Sequence, residues 1–226
     1  MESYESSVRV LDRELQAILG VFGALSNKEW ALPTNLEPVD PNLPRWSLFE
    51  LAGHFDISIG LTRMLIADPG AGQAGRDRVS FFISPRSDVA PVVYDYAYTM
   101  SAGKTPADMP GALAETFTMT IEEARANPPS LVGPGYFAPM QLGEFVPSRV
   151  VEAVVHGLDL TDALGREPIA APEGIAVCAS ILDQLLARRT VPGRPADLTD
   201  DLAWIRAAAG RWPGGHYPDP RLPLIG

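Results

Sequence analysis

Apolar residues recur along the N-terminal stretch at steps of three and four: Val8, Leu11, Leu15, Ile18, Leu19, Phe22 and Leu25. Such spacing draws one stripe along a structure of period 3.6 and predicts a helix over about 5–25. The prolines of "LPTNLEPVDPNLP" then break the pattern. A second helix is predicted over 47–67. Ser47 can cap its free backbone N–H groups, Glu50 stands three residues on as a capping box requires, and "DPGAGQAG" closes it. Residues 79–103 are less regular: "VSFFISP" suits a short strand or a buried loop, and "APVVYDYAYTMSAG" a short helix. Helical spacing returns over 105–126, with Pro106 and Asp108 suited to a first turn. "NPPSLVGPGYFAP" reads as a loop, and its G-x-G lacks the strand and helix that would make it a phosphate loop.

Three more helices follow: about 145–164, stopped by Gly165, then 172–189, then 198–209. The tail "GRWPGGHYPDPRLPLIG" is expected to lie extended over the bundle surface. Strand signals are scarce and no internal repeat is present. The expected class is all-α, a four-helix bundle with long crossover segments and two additional C-terminal helices. One domain is expected over 1–226, its core bundle at about 5–165 and the C-terminal helices and tail at 172–226.

Composition narrows the field. With 46% hydrophobic and 20% charged residues in a chain of 226, a folded core is expected. A formal charge of -10 argues against nucleic acid and against an anionic membrane surface. "MESYESSVRV" has no signal-peptide pattern, and no uncharged run approaches the roughly 20 residues a bilayer span needs. Cys178 is the lone cysteine, so no disulfide forms within the chain. It sits in "GIAVCASIL" and reads as a small buried hydrophobe. A cytoplasmic protein, monomer or homodimer, is expected.

Candidate chemistry gathers in "SRVVEAVVHGLDLTDALG", residues 148–165. Arg149, Glu152, His156 and Asp159 fall on one narrow stripe of this helix, since positions four apart point the same way. A Glu-x-x-x-His pair can chelate one ion through a carboxylate oxygen and an imidazole nitrogen. The same stripe would also suit the wet side of a surface helix, opposite Val151, Val154, Val155 and Leu158. Ala153, Leu160 and Leu164 lie on its other flank, however, and apolar residues on both sides suit a polar site sunk in a core. His54 adds to this. In "SLFELAGHFDISIGLTRML" it shares a stripe with Leu51, Ser58, Leu61 and Leu65, the face expected to be buried. Metal sites in bundles are built from inward side chains on facing helices, so His54, Glu152 and His156 are the candidate ligands. His216 is expected on the surface, Tyr94, Tyr96 and Tyr98 in aromatic packing although one of them could line a pocket, and Glu37 and Asp40 as solvated loop charge.

"RWSLFELAGHF" (45–55) resembles the W-x-x-x-x-L-x-x-H segment of the mycothiol-dependent maleylpyruvate isomerase family, which belongs to the DinB-like metal-binding bundles. "SRVVEAVVHGLDLTDALG" resembles that family's R-x-x-E-x-x-x-H-G-x-D-x-x-x-A-L-G signature. "AWIRAAAGR" and "RLPLIG" resemble endings of shorter relatives. The resemblance implies a divalent metal, usually zinc, on His54, Glu152 and His156, with mycothiol or a similar low-molecular-weight thiol bound to it as a thiolate. Three protein ligands leave a fourth position for chemistry, and a coordinated thiol is deprotonated. The thiolate would attack a small electrophilic substrate, in an S-transfer or an isomerisation. Arg149 and Asp159 are candidate catalytic residues, either orienting the ligands or holding substrate; Asp159 could also accept a proton or serve as a fourth ligand. Larger isomerases of the family carry a further C-terminal domain, which this chain, ending at Gly226, is expected to lack. Alternatives are a metal-assisted lyase, cyclase or hydrolase working through activated water, and a non-catalytic protein that binds a metal or small ligand.

Overall fold

The computed structural model describes residues 3–38, 40, 42–70, 72–84, 86–189 and 193–225. Helix α1 spans Tyr4–Gly23, and its predicted stripe is buried at Val8, Leu11, Leu15, Ile18 and Phe22. Helix α2 spans Leu48–Ala67. Its N-terminus has the predicted capping box: Ser47 Oγ accepts from the Phe49 N–H at 3.1 Å, and the Ser47 N–H donates to Glu50 at 2.9 Å. These two bonds satisfy backbone donors that a helix start leaves free. Helix α2 is buried around much of its circumference, on both sides of His54.

Residues 80–83 form a 3-10 turn rather than a strand. Asp77 explains why: its Oδ1 accepts the N–H groups of Val79 at 3.1 Å and Ser80 at 2.7 Å, which winds the backbone. The expected short helix is longer than its spacing suggested; α3 runs over Arg86–Ser101 with Pro91 inside it. Helix α4 covers Met109–Ala126, preceded by a turn in which Asp108 accepts from both the N–H and the hydroxyl of Thr105. The segment expected to be wholly loop contains a two-residue ladder, β1 (Val132–Gly133) antiparallel to β2 (Met140–Gln141). Helix α5 starts earlier than predicted and spans Leu142–Ala163. Helix α6 occupies the predicted range, Pro172–Arg189, and α7 spans Asp201–Ala208 with Asp200 capping Ala203.

Helices α1, α2, α4 and α5 pack as the bundle, α3 lies along α2, and α6 bridges α5 to α7. The architecture is all-α, as expected. Among the described residues no helix is long and apolar enough to cross a membrane.

One buried carboxyl ties α1 to α6. Glu14 Oε1 accepts the Ala171 N–H at 2.9 Å and would lie 2.3 Å from a Cβ placed on Gly174. Burial raises its pKa to about 7, against the pull of the Ala171 N–H and Arg13. A carboxyl whose folded pKa exceeds its unfolded value stabilises the protonated fold, and that stability is lost as pH climbs from 4.5 through 7. Glu14→Gln keeps the acceptor and removes the titration. It should raise stability by about 2–3 kcal/mol at pH 8 and by much less at pH 5. Denaturant melts at the two pH values check this; an equal change at both would reject it.

Candidate metal centre

Three side chains far apart in sequence meet between α2 and α5. Ligand-capable atoms of His54, Glu152 and His156 all lie within 4.8 Å of one another. Glu152 Oε2 stands 3.5 Å from His54 Nε2 and 3.4 Å from His156 Nε2. A tetrahedral zinc with bonds of about 2.1 Å spaces its ligand atoms by about 3.4 Å, so these separations suit one ion. The three side chains are 7%, 17% and 13% exposed, in that order. Of the two readings of the polar stripe on α5, the sunken site is the one the fold adopts.

His54 provides the sharper test of fit. Both of its ring nitrogens are buried and neither has a hydrogen-bond partner among the described residues. Buried polar atoms are nearly always satisfied, and an orphaned imidazole held against a carboxylate and a second imidazole is what a metal ligand looks like without its ion. Burial and the neighbouring His156 push the His54 pKa down, which favours the neutral, ligating form. Burial pushes the Glu152 carboxyl up, but both imidazoles and Arg149 outweigh it and hold the group well below the usual carboxylate range. Trp46 stacks on His54 with ring centroids 5.2 Å apart and fixes the ring plane.

His156 is oriented from behind. Its Nδ1 lies 2.8 Å from Asp159 Oδ2 on the next turn, so an N–H placed there turns the Nε2 lone pair towards Glu152. Burial would lower the His156 pKa, but Asp159 and Glu152 outweigh it and raise it. Asp159 is 1% exposed, and although burial opposes its charge, Arg211 and His156 lower its pKa to about 2. Arg211 grips it with two bonds, Nε to Oδ1 at 3.0 Å and a terminal nitrogen to Oδ2 at 3.1 Å. Asp159→Asn keeps the shape and weakens this grip, so metal affinity should fall about 10–100-fold with the fold intact. Competition with a chromophoric chelator measures it, and an unchanged affinity would remove Asp159 from the site.

Arg149 is 1% exposed and lies between the faces of Phe81 and Phe145, 4.7 and 4.6 Å from their centroids. It donates to the Ser58 carbonyl of α2 at 3.1 Å and to Ser148 Oγ, with Glu152 3.9 Å away. It therefore bridges the two helices that carry the cluster.

The cluster faces a cavity of about 790 Å³. Tyr94 and Tyr96 are on its wall, as are Tyr136 and Phe137 from the turn between β1 and β2. The tail is a further correction: Pro223, Leu224 and Ile225 line this cavity rather than covering the outer surface. Leu224 is pinned by its N–H to the Ala208 carbonyl at 2.7 Å. Arg211 and the tail had no signal in the local pattern, because their partners are tens of residues away. Trp46 had one, two positions before an apolar helix start. His216 is exposed and Cys178 buried, as expected.

A helical bundle of this kind, with a His–Glu–His cluster between two of its helices, has the DinB-like fold. Within it, the chain belongs to the mycothiol maleylpyruvate isomerase N-terminal domain family, whose sequence model matches residues 11–161. Two solved structures are similar in fold. One is a histidine-to-alanine mutant of the mycothiol-dependent maleylpyruvate isomerase, with TM-score 0.61 and 12% identity. The other is the mycothiol-dependent maleylpyruvate isomerase itself, with TM-score 0.58 and 13% identity. Each comparison covers 95% of this chain and 92% of the other. No curated protein sequence matches this chain.

Proposed function

We propose that this chain is a divalent-metal enzyme that uses a low-molecular-weight thiol, mycothiol or a close relative, as the nucleophile on a small electrophilic substrate, in an S-transfer or an isomerisation. The observation that carries the reading is the orphaned His54 facing Glu152 and His156 at the wall of a large cavity, in a chain of this family. His54, Glu152 and His156 would hold the ion, and two nitrogens with one oxygen suit zinc. When bound, the ion supplies a Lewis-acidic position that keeps a thiol deprotonated at neutral pH.

The protein's own groups do the rest. Asp159 holds the His156 Nδ1 proton and Arg211 holds Asp159, so both carboxylate oxygens are already engaged by the protein. We assign Asp159 a positioning role rather than a proton-accepting one. Arg149 likewise positions, by joining Ser58 of α2 to the turn of α5 that bears Glu152. Trp46, Phe81 and Phe145 exclude water, which strengthens every charge interaction at the cluster.

Incubating zinc-loaded protein with mycothiol and monochlorobimane, followed by bimane-adduct fluorescence, tests the reading. Adduct formation should vanish with chelator and return with zinc. Adduct formation indifferent to metal rejects it, and turnover of an ester substrate without thiol favours the activated-water alternative.

A further inference from the structure

Among the described side chains, three arginines stand on the cavity wall: Arg149, Arg189 and Arg211. Two have their charge engaged by the protein. Arg211 is forked onto Asp159, and Arg149 lies between two aromatic faces with Glu152 beside it. Arg189, at the end of α6, differs. It donates to the carbonyl oxygens of Leu224 at 2.6 Å and Phe82 at 2.9 Å, and no carboxylate among the described residues pairs with it. Carbonyls fix the direction of a guanidinium without neutralising it, and its five N–H donors leave some unused. Glu37, also on the wall, is bridged to Arg45.

Most of the remaining wall is apolar or aromatic, formed by residues such as Trp46, Ile57, Leu61, Tyr94, Tyr136 and Phe137. Exposed Met64, Ile83 and Tyr96 also line it, so the apolar lining reaches solvent. We infer that the electrophile taken by this cavity is a mainly apolar or aromatic molecule with a single anionic group, a monocarboxylate, whose charge is received by Arg189. The inference rests on the proposed function only in treating this cavity as the substrate site. Maleylpyruvate, named for the similar solved structures, carries two carboxylates. A second carboxylate would lie against apolar wall with no unengaged cation among the described side chains to meet it, and a charge desolvated without a partner is costly. An aromatic body instead gains from the wall through apolar burial and ring contacts.

Isothermal titration of wild-type protein with trans-cinnamate, uncharged cinnamamide and maleate tests this, in both zinc-loaded and chelator-treated forms. Cinnamate should bind roughly tenfold tighter than either of the others in both forms, as expected for one charge-assisted pair. Arg189→Gln should bring cinnamate down to the affinity of cinnamamide, and Arg189→Lys should keep most of the difference. Maleate binding as tightly as cinnamate, or cinnamamide equal to cinnamate, overturns the inference. A preference that disappears with the zinc also overturns it, because the carboxylate would then be meeting the metal. None of these outcomes depends on thiol turnover, whose failure is read from the bimane assay.

Discussion

His54→Ala and His156→Ala should each strip the metal from protein purified without added zinc, whereas wild-type protein should retain about one ion per chain. Losing a partner behind a ligand weakens binding about 10–100-fold, so losing the ligand itself should cost more than 100-fold. Elemental analysis reads the result directly. The fold should survive, at least for His54. Its ring nitrogens have no hydrogen bonds to lose, so truncation removes two unsatisfied buried atoms at the same time as it opens a small cavity. Chelator-treated wild type and His54→Ala should therefore melt at similar temperatures, with the metal-loaded wild type above both, since an ion bound only by the fold stabilises it. His216 is exposed, and His216→Ala should retain the metal. Unchanged metal content in both the His54 and His156 variants would leave the cluster without its proposed role.

The two helices that carry the cluster were readable because each carries a local rule. Ser47 and Glu50 announce the start of α2 through backbone chemistry confined to four residues, and the structure adopts that cap. The flanks of α5 are apolar on both sides of Glu152 and His156, and a helix greasy on two sides has to be enclosed. Such rules fail where the deciding contact is remote. Asp77 winds residues 80–83 into a 3-10 turn that looks like a strand by composition, and Arg188 of α6, bonded to Asp77 at 2.6 Å, helps hold it there. Arg211 reads as an ordinary residue after Gly210, whose positive φ of 69° ends α7. Only the turn made there carries Arg211 to Asp159, 52 positions back. The cavity is assembled in the same way from the turn at 134–137, from α3 and from the tail, segments with no shared period. Sequence could name the residues that cluster and not the pocket.

Gly53→Ala tests how closely that enclosure is built. On propensity alone alanine should improve a helix interior, by up to about 1 kcal/mol. Here a Cβ would lie 2.4 Å from the Ala97 carbonyl oxygen and 3.2 Å from the Ser101 N–H nitrogen, both in the backbone of α3. No rotamer change relieves a clash with backbone, so α2 and α3 must separate. Overpacking of this kind costs about 1–3 kcal/mol and outweighs the propensity gain. The expected net loss is about 2 kcal/mol, and Tm should drop by roughly 4–8 °C in a chain of this size. Gly20→Ala is the matched comparison, because an added Cβ on α1 meets nothing within 4 Å and should stabilise slightly. The position of Gly53 adds a functional consequence. It immediately precedes His54, so the shift that frees the new methyl moves the imidazole against Glu152 and against the Trp46 ring stacked on it. Zinc affinity should therefore fall together with Tm in Gly53→Ala, though less than in His54→Ala. A variant that melts with the wild type would mean that α3 is free to give way. One that melts early yet binds zinc normally would mean that the cluster is set by α5 and Trp46 rather than by the α2–α3 contact.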